Sequence, residues 1–137
     1  MTQFRVTRLD EIPGVPEPDP GDPDWKPLRH HFGLHAFGAN VFLQPDAGGR
    51  LVVDHRETDT GHQELYLVLE GRAEFVIEGE PYDCPAGTCV AVRDPGVRRS
   101  AIAVDGDTSV LVIAGMPGRA YEVSEWDAKW TTGLPQA

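Results

Sequence analysis

Two histidines and two glutamates crowd one stretch of the chain: His55, Glu57, His62 and Glu64, within DHRETDTGHQELYLVLEG. From Glu64 onward the residues alternate as in a β-strand. Glu64, Tyr66 and Val68 fall on one face, and Leu65, Leu67 and Leu69 on the other. A carboxylate sharing a face with an aromatic ring and a valine is out of place unless that face lines a cavity. His62 shares the face of Glu64 if the strand already runs extended there. His55 and Glu57 form a second same-face pair upstream, across a polar loop. Imidazoles and carboxylates gathered this way suit either metal ligation or proton transfer. Enclosing the Glu64 carboxylate is costly unless a cation sits beside it, so the strand predicts a metal ion or an arginine nearby.

Bulk properties narrow the class. The chain has 137 residues, enough for one domain with its own core, and 40% apolar and 25% charged residues. A formal net charge of −10 leaves no basic field to attract phosphates, which argues against nucleic-acid or anionic-membrane partners. No apolar run is long enough to span a bilayer. The first residues, MTQFRVTRLDE, alternate and are charged, unlike a secretory signal, so a cytoplasmic location is expected. Cys84 and Cys89 flank the turn-like Pro85-Ala86-Gly87 and read as reduced thiols.

The elements that must position the cluster follow in order. Gln3 to Leu9 predicts a short strand. Ile12 to Pro27 carries Pro13, Pro16, Pro18, Pro20, Pro23 and Pro27, and reads as an extended arm over the body, pinned by Trp25. From Leu28 the pattern is β throughout, with His30, His31 and His35 read as strand or loop residues outside the site. Strands are expected at Asn40–Gln44, Arg50–Asp54, Glu64–Leu69, Arg72–Glu78, Thr88–Arg93, Ser100–Val104 and Ser109–Ala114. Asp105-Gly106 reads as a hairpin turn between the last two. Ser124 looks like the N-cap of a short helix with Asp127 at its third position. Trp126 and Trp130 share one side of that helix and are expected to anchor the tail, not to form a ligand cage. The organisation is thus an arm over residues 1–36, a β-barrel over 37–123 and a helical tail over 124–137, in one structural domain. Short strands at close spacing with Gly-containing turns indicate a sandwich or small barrel.

ELYLVLEG resembles the end of the first motif of the cupin family, G-x5-H-x-H-x3,4-E-x6-G, with Glu64 and Gly71 at its glutamate and final glycine. PAGTCVAVRDPGVRRS, from Gly87 onward, resembles the second, G-x5-P-x-G-x2-H-x3-N. The resemblance covers residues 40 to 115 and implies an all-β cupin (double-stranded β-helix, or jelly-roll) barrel. The family usually binds a divalent metal through two histidines and the glutamate of the first motif and one histidine of the second. Carried over, His55 stands for the first histidine, Glu57 occupies the place of the second, and His62 is out of register. Arg99, or Arg98 without a one-residue insertion, falls where the last metal-binding histidine belongs. Guanidinium repels a cation at short range, so a full four-ligand site is absent.

Two pocket readings follow. In one, His55, His62 and Glu64, with Glu57 in reserve, hold Zn, Fe, Mn or Ni with open positions. In the other, the barrel is metal-free and Arg99 or Arg93 pairs with an anionic group on a small organic ligand. Glu64 or a histidine then acts as acid or base, with Tyr66 alongside as a packing residue. The corresponding functions are a metal-dependent oxygenase or an isomerase, and a non-catalytic small-molecule binder or sensor; an assembly role is a third. The outward Leu65, Leu67 and Leu69 need cover, which predicts a homodimer.

Overall fold

A computed structural model describes residues 3–15 and 19–137. Pro16 and Pro18 of the proline-rich arm lie outside the described residues. Among the described residues, nine strands form two antiparallel sheets. One holds β1 (Asp24–Lys26), β2 (Gly38–Gln44), β9 (Thr108–Gly115), β4 (Gln63–Glu70) and β7 (Cys89–Val92), in the order β1-β2-β9-β4-β7. The other holds β3 (Arg50–His55), β8 (Arg99–Ala103), β5 (Arg72–Ile77) and β6 (Glu80–Pro85), in the order β3-β8-β5-β6. Helix α1 (Leu28–Phe32) precedes β2, and α2 (Glu125–Thr131) ends the chain.

The alternation of β4 sets the layers. Tyr66 and Val68 are buried, while Leu65 and Leu69 face outward. Across the gap, β5 contributes Ala73 and Phe75 and β8 contributes Ala101 and Ala103, all buried. Phe75 meets Tyr66 edge to face at 5.3 Å. Alanines opposite large rings let the two sheets approach closely, and Val110 and Val112 of β9 complete the same core.

Several expectations change. Gln3–Leu9 is not a strand: Phe4 and Val6 are exposed, and the segment makes no strand pairing among the described residues. Leu28–Phe32 is a single helical turn carrying His30 and His31, so the β pattern does not begin at Leu28. The extended arm ends in a short outer strand, because Asp24–Lys26 pairs with β2 and Val15 bridges Trp25. Strand β6 was hidden by Pro81 and Pro85; it is the outer strand of its sheet, where a missing N–H is tolerated. Asp105-Gly106 closes no hairpin, since β8 and β9 belong to different sheets and the turn carries the chain across the barrel. Ser124 precedes α2 but makes no side-chain cap. The buried anchors of α2 are Asp127, 3.1 Å from Arg29, and Thr131, while Trp126 and Trp130 stay partly exposed. Cys84 is buried and Cys89 exposed, both as free thiols.

Gly71, at the end of the EG step, has φ +74, and a Cβ there would lie 2.8 Å from the Thr108 Cα. Backbone cannot yield as a side chain does. Gly71→Ala is expected to destabilise the fold by about 2–3 kcal/mol, combining left-handed strain with that clash, as read from urea unfolding.

Candidate functional site

The cluster forms where β3 ends and β4 begins. His55 closes β3, opposite Arg99 at the start of β8, and register shifts in β3 between Arg50 and His55 set that pairing. Glu64 is the second residue of β4, opposite Ala114 of β9 and Val92 of β7. Glu57 lies on the loop between β3 and β4, fixed by its own N–H donating to the Pro95 carbonyl at 2.8 Å. The Thr60 hydroxyl donates to Glu57 Oε2 at 2.6 Å. Thr60 has only its place three residues after Glu57 to suggest this role.

The four charged groups interlock. The His55 ring lies with Nδ1 2.7 Å from the Val53 carbonyl and Nε2 3.0 Å from Glu57 Oε1. The same Nε2 is 3.6 Å from Glu64 Oε1. Tyr66 donates its hydroxyl to Glu64 Oε1 at 2.6 Å. Arg99 Nη2 stands 3.5 Å from that oxygen, at ion-pair distance but outside hydrogen-bond geometry. Arg99 is fully buried, and none of its guanidinium nitrogens has a hydrogen-bond partner among the described residues. One ligand atom from each of His55, Glu57 and Glu64 lies within 4.8 Å of the others. An imidazole and two carboxylates converging so closely fit a divalent ion by donor type.

The other expected residues are placed differently. His62 is buried but turned away: it stacks on Tyr121 at 5.1 Å, and its Nε2 lies 3.3 Å from the Glu122 carbonyl. Its Nδ1 comes no nearer than 4.0 Å to Glu57, so Glu57, held in reserve above, takes its place in the group. The C-terminal segment that captures this ring carries no sequence signal for doing so. Arg99, not Arg98, points inward; Arg98 is exposed and pairs with Asp54 through its Nε at 2.8 Å. Arg93 is exposed directly after β7 and does not line the cavity that His55, Glu57 and Glu64 line. His30 and His31 lie on α1 and His35 beyond it, outside the site.

The cluster forms the floor of a cavity of about 430 Å³ at the mouth of the barrel, walled by residues of β1, β2, β3 and α2. Its electrostatics follow from burial and pairing. Burial alone would lower the His55 pKa, but hydrogen bonds to Glu57 and Glu64 and to the Val53 carbonyl outweigh it and push it up to about 10. Burial would raise Glu57, yet the His55 and Thr60 hydrogen bonds bring it below its ordinary value. Burial and the Glu64 carboxylate hold the Tyr66 phenol well above its ordinary value.

These shifts set a stability window for the metal-free protein. His55 contributes fully below its ordinary value of 6.5, and that contribution is lost as pH rises through about 10. Glu57 contributes above its ordinary 4.5, and its share is lost as pH falls below it. The melting temperature should therefore decline between pH 7 and 10. In Glu57→Gln the decline should flatten, and the His55 imidazole midpoint, followed by NMR, should move down toward 6.5. An unchanged midpoint would refute the pairing.

No protein-family model matches the chain, and no curated protein matches it. Solved structures do. KdgF from Halomonas sp. is 17% identical, with a TM-score of 0.68 over 92% of this chain and 99% of that one. A cupin protein from Bacteroides fragilis is 20% identical, with a TM-score of 0.65 over 100% of both chains. A sugar phosphate isomerase from a cupin superfamily of Silicibacter pomeroyi is 17% identical, with a TM-score of 0.67 over 88% of this chain and 83% of that one. The two-sheet barrel of this chain is accordingly the cupin fold, as the ELYLVLEG stretch implied.

Proposed function

We propose that this protein binds a small organic molecule, anionic at its reacting end, in the mouth of the barrel. His55, Glu57 and Glu64 hold a divalent metal (Zn, Fe, Mn or Ni) beneath it. The observation that carries this reading is the convergence of three ligand atoms within 4.8 Å at the floor of a concave cavity. A divalent ion held there would supply a Lewis acid for an oxygen of the bound molecule, which suits a metal-dependent oxygenase or isomerase.

The chain's own groups orient the donors. The Val53 carbonyl accepts from Nδ1–H of His55, which leaves Nε2 facing the cavity side of the cluster. Tyr66 and Arg99 both act on Oε1 of Glu64, leaving its other oxygen without a hydrogen-bond partner among the described residues. Thr60 fixes Glu57. Charge favours an anionic ligand. The two carboxylates are offset by the imidazolium and the guanidinium, so the cluster is neutral. Exchanging the imidazole proton for a divalent ion leaves one net positive charge. Arg99 then assists from behind Glu64 and does not touch the ligand itself.

A second reading, a metal-free binder or sensor, is favoured by the same neutrality, because the cluster is already compensated without an ion. Elemental analysis of protein purified without added metal or chelator separates the two. Stoichiometric metal, lost in His55→Ala and Glu57→Ala and kept in His62→Ala, is the expected result. Absence of metal from wild type would leave the binder.

We also propose a homodimer through the outer face of the five-stranded sheet. Leu65, Leu69 and Ile113 are 42%, 37% and 36% exposed there, and Leu65 and Ile113 are cross-strand partners. Light scattering after size exclusion should give about twice 15.0 kDa, and Leu65→Asp should give the monomer. A wild-type monomer at micromolar concentration would overturn this.

A further inference from the structure

All three tryptophans of the chain line the same cavity: Trp25 from β1, and Trp126 and Trp130 from α2. Burial does not account for the pair on the helix. The neighbouring face of α2, one residue further round, carries the anchors, with Asp127 and Thr131 each 2% exposed and the Arg29 guanidinium on Asp127 at 3.1 Å. Trp126 and Trp130 remain 46% and 39% exposed. Trp126 lies 4.6 Å from Trp25, centroid to centroid, and Trp25 stacks on Phe42 at 6.4 Å. The result is a run of aromatic faces from the rim inward.

Most of the remaining wall is apolar. Leu51, Val52 and Val112 face the cavity, and Asn40 directs its side-chain oxygen to the Trp25 indole N–H at 2.6 Å. The charged lining residues outside the cluster are Asp22, Arg56 and Asp59; Asp22 accepts from Arg50 at 2.8 Å and Arg56 donates to the Gly96 carbonyl at 3.1 Å. His55, Glu57, Thr60 and Glu64 stand together in the lining as one hydrogen-bonding cluster. A polyol placed here would find few partners for its hydroxyls along the aromatic and aliphatic wall. A flat hydrocarbon body with one polar end meets no such penalty.

We infer that the cavity takes an aryl compound bearing a single oxygen head group. Its ring lies against Trp25, Phe42 and Trp126, and its carboxylate or phenol points toward the His55–Glu57–Glu64 end. The direction of the head group rests on the function proposed above; the aryl selectivity rests on the wall alone.

Calorimetric titration of purified protein of measured metal content tests it, with 2-naphthoate, 2-naphthol, galacturonate and glucose 6-phosphate as probes. At least one naphthyl probe should bind about tenfold or more tighter than either sugar. Trp126→Ala and Trp130→Ala, both surface changes checked by circular dichroism, should each weaken it, Trp126→Ala by about tenfold. A preference for naphthoate over naphthol would assign the head group as carboxylate, and the reverse as phenol. Naphthyl binding that depends on Trp126 in metal-free protein would support the inference while removing the metal reading. Sugar binding as tight as naphthyl binding, or naphthyl binding indifferent to both tryptophans, would overturn the inference even in fully metallated protein.

Discussion

The fold is built around a carboxylate enclosed in a barrel. Glu64 has a side chain only 10% exposed, and an ion so enclosed is stable only with counter-charge and hydrogen bonds at hand. Each partner comes from a different element: Tyr66 from β4 itself, His55 from β3, and Arg99 from β8 in the opposite sheet. The relative register of the two sheets is therefore specified by this one group. A slip of one residue in β4 would turn Glu64 outward and bring the exposed leucines in, losing the ion contacts and the hydrophobic core together. The shifts in the pairing of β3 serve the same demand, since they bring His55 opposite Arg99 at the strand's end.

The elements outside the barrel shape the space above that group. Strand β1 extends the five-stranded sheet and sets Trp25 over the mouth, with its indole tied to Asn40. Helix α2 has seven residues, too few to be stable alone, and is held by the buried Arg29–Asp127 pair. That pair links the turn of helix before the barrel to the turn of helix after it. The same C-terminal run lays Tyr121 on His62 and so withdraws that imidazole from the cavity.

What could be read from sequence was what local periodicity determines. The alternation from Glu64 to Leu69 has one carboxylate in phase with core residues, so the strand, its inward face and the need for a nearby cation all follow from it. The ELYLVLEG step adds the cupin fold. What could not be read depends on partners distant along the chain. His62 is in phase with Glu64, and only the arrival of Tyr121 and Glu122 turns it aside. Strand β6 contains prolines that exclude a central strand but not an outer one, and sheet position is not a local property. Asp105-Gly106 has hairpin chemistry, yet whether the chain reverses within a sheet or crosses to the other is decided by where β9 finds its neighbours, β2 and β4. Arg98 and Arg99 are equivalent by type; pairing of β8 with β3 and β5 makes the second one face inward.

Arg99 also bears on the proposed site. In the cupin motif that PAGTCVAVRDPGVRRS resembles, its place carries a histidine; here it carries a permanent charge that burial cannot remove. Such a cation could not share a coordination sphere, and in this geometry it would not need to, because Glu64 lies 3.5 Å from it on the cavity side. On the reading proposed above, the carboxylate would face the fixed guanidinium on one side and a bound ion on the other. An arginine in place of a neutral ligand would then add one positive charge to the floor and leave one coordination position open. Both changes would act in the same direction, favouring a molecule that brings its own negatively charged oxygen.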